Sequence, residues 1–209
     1  MATEDPYGFA AMLGEPSLPV AGVSWDEIEG ALGVTLPDEY KAWADRYRSL
    51  RIGEYLQIDN VRDFVELLGL DGLSARLGDK ALAHVLTLRS SARLYDVTGG
   101  DFRYRADEIG VYPAEGGLLR IGLGDDNQKV YLLPPASAAG DWRVVATDCR
   151  EWWLYGGGFD RFLFELATGT LECGLLPDLS ATPVTIEERE SFYVYPSGSF
   201  FTNWLPIPP

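Results

Sequence analysis

"SWDEIEGALGVTLPDEYKAWADRY", residues 24–47, decides how the rest of the chain is read. Ser24 and Glu27 form an S-x-x-E capping box, in which hydroxyl and carboxylate each satisfy an amide that a helix start leaves orphaned. Trp25, Ile28 and Leu32 then fall at i, i+3 and i+7 on one helical face, and Gly33 ends the helix. Leu36-Pro37 opens a second helix, since proline is tolerated in a first turn where no intrahelical amide bond is required. Asp38 and Glu39 suit the positive end of its dipole, and Tyr40, Trp43 and Tyr47 repeat the same spacing. Two short helices with aromatic stripes are built to lie on something.

Downstream, the pattern supplies a sheet. After a third predicted helix near "NVRDFVELLGL" (60–70), the period changes. "HVLTL" (84–88), "GLLRIGL" (117–123), "KVYLLP" (129–134) and "WRVVAT" (142–147) are short, β-rich and bounded by turn residues. "GDDNQ" (124–128) is a hairpin connection, because Asp and Asn adopt turn conformations readily. In "EWWLY" (151–155), alternation puts Glu151, Trp153 and Tyr155 on one face and Trp152 with Leu154 on the other. "FDRFLFELATG" then predicts a closing helix, with Phe159, Phe162, Leu163 and Leu166 on one stripe and Gly169 at its end.

The 209 residues suit one domain with extensions. Residues 1–22 read as an N-terminal arm, 23–177 as an α+β domain, and 178–209 as a Pro- and aromatic-rich extension that wraps back onto the domain or meets a partner. Hydrophobic residues make up 46% and aromatics 12%, ample for a core. The 32 acidic and 17 basic side chains give a net charge of −15. Such a surface repels nucleic acid, and no Lys/Arg run conceals a basic patch; a basic protein is the better electrostatic match. Cys149 and Cys173 form no Cys-x-x-Cys pattern and no dense disulfide framework, which points to reduced thiols in a cytosol. The start of the chain lacks a basic, apolar leader, and no stretch approaches the ~18 apolar residues of a membrane span. A cytoplasmic protein is expected.

The order of these features resembles the SUKH superfamily, which includes bacterial immunity proteins and relatives of a fungal cell-wall assembly regulator. The resemblance rests on the capped "WDEIEGALG" helix, "LPDEYKAW", "YPAEGGLLRIG" with its acidic hairpin, "WRVV" and "FDRFLFELATGTL", over residues 24–176. After the Leu-Pro helix the family commonly has a Gly-rich or Asn-Gly turn, where this chain reads "YRSLRIGEY" (47–55). The resemblance implies an α+β fold, a mainly antiparallel twisted sheet with packed helices. It also implies binding as the activity: an immunity protein that blocks a cognate toxin, or an intracellular regulatory or scaffold module of the same fold.

The residues offer little for catalysis. His84, the only histidine, sits in the apolar "ALAHVLTL" and reads as a buried, hydrogen-bonded side chain. One His and two Cys make no closed zinc set, and no metal or cofactor is expected. "YGGGFD" (155–160) precedes a helix but lacks the Lys-Ser/Thr ending of a phosphate loop, so it reads as a strand-to-helix turn. Glu151 with Asp125 or Asp126 makes a conceivable glycosidase pair, whose separation a sequence does not give. For binding, the candidates are Asp107, Glu108, Asp125, Asp126, Asp148 and Glu151 in turns, with Trp152 as an aromatic anchor. Acidic groups around an aromatic suit a basic, nuclease-like toxin surface.

Overall fold

The capping box forms as its sequence predicts. Ser24 Oγ accepts from the Glu27 amide at 3.2 Å, and the Glu27 carboxylate accepts from the Ser24 amide at 3.3 Å. The computed structural model describes residues 5–78, 94–96, 101–102, 110–135, 140–149, 151–180, 183–194 and 200–208. Within them lie helices α1 (Phe9–Leu13), α2 (Trp25–Leu32), α3 (Asp38–Ala44), α4 (Val61–Leu68), α5 (Leu70–Leu77) and α6 (Phe159–Ala167). The third predicted helix is thus two, broken at Gly69, whose φ of 71° lies in the left-handed region. None of the described helices is long and apolar enough to cross a membrane.

Ten strands among the described residues make one sheet. They are β1 (Leu50–Ile52), β2 (Leu56–Ile58), β3 (Leu94–Asp96), β4 (Asp101–Phe102), β5 (Leu119–Gly124), β6 (Lys129–Leu133), β7 (Arg143–Thr147), β8 (Trp152–Leu154), β9 (Ile186–Val194) and β10 (Phe200–Pro206). Their spatial order is β10-β9-β1-β2-β5-β6-β7-β8-β3-β4. Every pairing is antiparallel except β3 with β8. The fold is α+β, as the sequence predicts. The strand expected at 84–88, with His84, lies outside the described residues.

Alternation along each strand divides the sheet into a helix-covered face and a second face. Leu50, Ile52, Leu56, Ile58, Val130, Leu132, Val144, Ala146, Trp153 and Tyr155 join the main core with the helices. Tyr40, Trp43 and Phe159 meet there with ring centroids 5.1–5.4 Å apart, locking α3 against α6. Tyr131, Val145, Trp152 and Leu154 form a smaller cluster with Val111 and Leu118. Trp25 behaves differently from Ile28 and Leu32: half-buried, it stacks under the Arg62 guanidinium at 4.5 Å and donates from Nε1 to Asp45.

Both terminal segments are built into this body. Phe9 and Leu13 of α1 and Ile207 near the other end are buried in the main core. Gly14 (φ 84°) is so close to Pro208 O that an added Cβ would come within 2.5 Å of it. The "YRSLRIGEY" stretch, where the family commonly has a turn, contains β1, which forms a hairpin with β2 whose turn places Gly53 and Glu54 both at positive φ. The C-terminal hairpin β9–β10 then pairs with β1 and extends the sheet by two strands.

A buried ionic cluster ties that hairpin down. Arg189 on β9 reaches Asp59 Oδ1 at 3.1 Å, just past β2, and Asp63 Oδ2 at 3.7 Å on α4; its side chain is 3% exposed and theirs are 2%. Asp59 also accepts from Arg76 at 3.2 Å and from the Gln57 amide. Asp63 accepts from Arg48 Nε at 3.1 Å and the Ser49 amide at 2.8 Å. The Phe64 ring has Arg76 4.4 Å and Arg189 5.2 Å from its centroid. Asn60, between the carboxylates, caps α4 by accepting from the Arg62 amide and donates to the Ala44 and Tyr47 carbonyls.

Two predictions follow from this packing. Arg189→Met leaves two buried carboxylates short of their counter-charge and lowers unfolding free energy in urea by about 3–5 kcal/mol. The second concerns alkali. Tyr47, whose hydroxyl donates to Gly14 O at 2.6 Å, has its phenol pushed by burial from 10.0 up to about 12. The folded protein therefore holds a proton that the unfolded chain releases, so stability falls as pH rises from about 10 to about 12. Urea titrations across that range should show the fall, and Tyr47→Phe should make it shallower.

Candidate functional site

The sheet register brings several predicted acidic residues to one end. Lys129 at the start of β6 pairs with Leu123 of β5 and Thr147 of β7, and Thr147 pairs with Trp152 of β8. The β5–β6 and β7–β8 connections therefore leave the sheet side by side. Leu56 pairs with Gly124, so the β1–β2 turn joins the same end. Glu54, Asp125, Asp126 and Glu151 are exposed there, with Asp148 half-buried. Against these five carboxylates, the same stretches of sequence carry Lys129 and Arg150.

Local chemistry shapes both acidic turns. In the first, the Gly124 amide donates to Gln128 O at 2.7 Å and the Asp126 amide to Gln128 Oε1 at 2.9 Å. Asn127 takes a left-handed φ of 63°, which Asn tolerates better than most residues. Gln128 thereby turns the two aspartates outward on a fixed backbone. In the second, Asp148 Oδ1 accepts from the Glu151 amide at 2.7 Å, and Thr147 Oγ1 donates to Glu151 O at 2.6 Å. Asp148 is thus largely occupied in holding the turn, while the Glu151 carboxylate remains at the surface.

Trp152 requires a correction. It is 2% exposed and packs with Tyr131, Val145 and Leu154 on the second face, so it is no surface anchor. Alternation explains this: the strand's two faces both meet packed layers, so an aromatic on either is buried. The exposed aromatic at this end is Tyr55, 50% exposed beside Glu54, with Leu123 at 36% on the paired strand. Sequence reasoning missed Tyr55 because "RIGEY" was not read as a hairpin, although Gly53 supplied the signal. Asp107 and Glu108 lie outside the described residues.

The opposite end of the sheet holds a cleft of about 840 Å³. The start of α3, the glycine turn before α6, and Pro134, Pro135 and residues 140–143 border it, with Tyr7 in its lining; its charged lining is Asp38, Glu39, Asp141 and Asp160 with Arg143. Burial first, then Glu39, Asp38 and Asp160, raise the Tyr7 phenol above its usual range. An added Cβ at Gly158 would come within 2.8 Å of Asp160 Oδ1 and 3.3 Å of Glu39 Oε1. The "YGGGFD" turn therefore faces carboxylates, an environment that opposes phosphate. No cluster of three or more His, Cys, Asp or Glu side chains suited to a metal ion occurs among the described residues.

No protein-family model matches the chain, and no curated protein matches it. The candidate site is a sheet end that carries exposed carboxylates on three neighbouring turns and a half-exposed tyrosine on the first of them.

The two aromatics separate structure from surface. Trp152→Ala should cost about 3–5 kcal/mol of stability, as expected of a buried tryptophan. Tyr55→Ala should stay within about 0.5 kcal/mol of the parent. Chemical denaturation of both variants checks the assignment.

Proposed function

We propose that this chain is a SUKH-type, non-enzymatic binding protein: a cytoplasmic immunity protein that inhibits a cognate bacterial toxin domain by covering its active site. The observation that supports this most is the acidic sheet end, where Glu54, Asp125, Asp126, Glu151 and the exposed Tyr55 lie in a row on three turns at one end of the sheet, Tyr55 beside the turn of Asp125 and Asp126. A toxin that handles nucleic acid presents a basic surface, and carboxylates set on rigid hairpin turns complement it without a folding cost on binding. The charge of −15 steers encounter from a distance, and Tyr55 with Leu123 supplies apolar contact at close range. Inhibition by occlusion needs no chemistry from the bound protein.

The test is binding and protection against toxin domains encoded beside the gene. The expected result is a stoichiometric complex and survival of cells that express both proteins. Absence of both binding and protection would overturn the immunity reading. Replacing Asp125 and Asp126 with Lys should slow association by about tenfold or more at low salt, with the difference shrinking as salt screens the charges. Stopped-flow or surface-based kinetics over a salt series measures it.

A further inference from the structure

The outermost strand, β10, has a property the acidic surface lacks. It is hydrogen-bonded to β9 on one side and stands at the edge of the sheet; among the described residues, no backbone hydrogen bond meets its other side. Such a row of unmatched amides and carbonyls is a template for another strand, and proteins commonly guard it with charges or by covering it. Charge gives no guard here; a bulge between Asn203 and Trp204 and Pro206 at the strand's end interrupt the edge and leave Phe200–Asn203 as its regular stretch. Residues 191–209, "SFYVYPSGSFFTNWLPIPP", contain no charged side chain, in a chain where 23% are charged.

The strand is also held rigidly and carries apolar surface. Trp204 lies 5.3 Å from the Arg51 guanidinium and 5.7 Å from that of Arg189, which fixes β10 to the buried ionic cluster. Phe201 pairs across the strands with Tyr193, and these two rings are 51% and 55% exposed.

We propose that β10 is a dimerisation edge, on which β10 of a second copy of this chain pairs antiparallel about a two-fold axis. An antiparallel strand edge is self-complementary under that symmetry, since the same donors and acceptors are offered by both copies. Charge selects this occupant. Two chains of −15 repel over most of their surfaces, and the neutral strand is where that repulsion is least. A basic partner gains nothing from an uncharged strip, whereas a second copy loses least there. The pairing continues the sheet through both subunits and brings the Phe201 and Tyr193 rings of each copy toward the junction. It leaves the acidic turns, which belong to β1–β2 and β5–β8, on a separate part of each subunit.

Sedimentation of the full chain over a concentration series, from about 1 to about 100 μM, tests this. The expected result is a monomer–dimer equilibrium that strengthens with salt, opposite to the salt response of a complex with a basic partner. Phe201→Glu and Thr202→Glu each add like charges across the two-fold axis and should weaken dimerisation at least tenfold, with far-UV circular dichroism unchanged. Asp125→Lys with Asp126→Lys should leave the dimer intact. A chain monomeric throughout the range overturns the proposal, as does a dimer that both glutamate variants leave at parental strength. If Thr202→Glu alters the circular dichroism, Phe201→Glu, at a half-exposed side chain, decides the matter.

Discussion

Arg189 between Asp59 and Asp63 is the contact on which the architecture depends. It joins β9 to the end of β2 and the start of α4, segments about 130 residues apart in the chain, in a site where all three side chains are nearly inaccessible to water. Burying three charges is costly unless they are paired, and here Arg48, Arg76, Gln57 and the Ser49 amide add partners for the two carboxylates, while Arg189 Nε and Arg76 Nε are buried without a hydrogen-bond acceptor. Such a cluster favours one register over its neighbours: a slip of β9 against β1 by one residue would turn Arg189 away from both carboxylates. The C-terminal hairpin is fixed in this way as part of the sheet.

That register has consequences at the sheet's far margin and at its end. With β9 held, β10 becomes the outer strand, braced through Trp204 on two guanidiniums. With β1 and β2 held as a hairpin, Glu54 and Tyr55 are carried to the same end as the two acidic turns of β5–β6 and β7–β8. The acidic surface is thus a product of strand pairing, assembled from three turns that are remote in sequence. The carboxylates of its β5–β6 and β7–β8 turns sit on backbones already closed by their own hydrogen bonds, so the partner we propose would meet them in place.

The sequence discloses what is locally determined. Ser24 with Glu27, the stripe of Tyr40, Trp43 and Tyr47, the alternation in "EWWLY" and the stripe from Phe159 to Leu166 are each set by neighbours within a few residues, and all of them appear in the fold. What stays hidden depends on distant partners. "IEERES" looks solvated, yet Glu187 pairs with Arg51, Glu188 accepts from the Ser17 and Arg48 amides, and Arg189 is buried in the ionic cluster. Burial raises the Glu188 carboxyl above its ordinary range for the same reason. Strands of three residues, such as β1 and β2, are too short to show a period. Trp152 and Tyr55 illustrate the limit for the site: alternation says which residues share a face, but only the layers above and below say which face meets water.

Hydrogen exchange of the chain alone and in complex with the toxin domain we propose it binds tests the central claim most directly, that the acidic end of the sheet is the working surface. The account predicts new protection in the turns at 53–55, 124–128 and 148–151, with the cleft beside Asp38 and Trp142 unchanged. Protection confined to that cleft or to the helix-covered face, with the three turns unaltered, would contradict it.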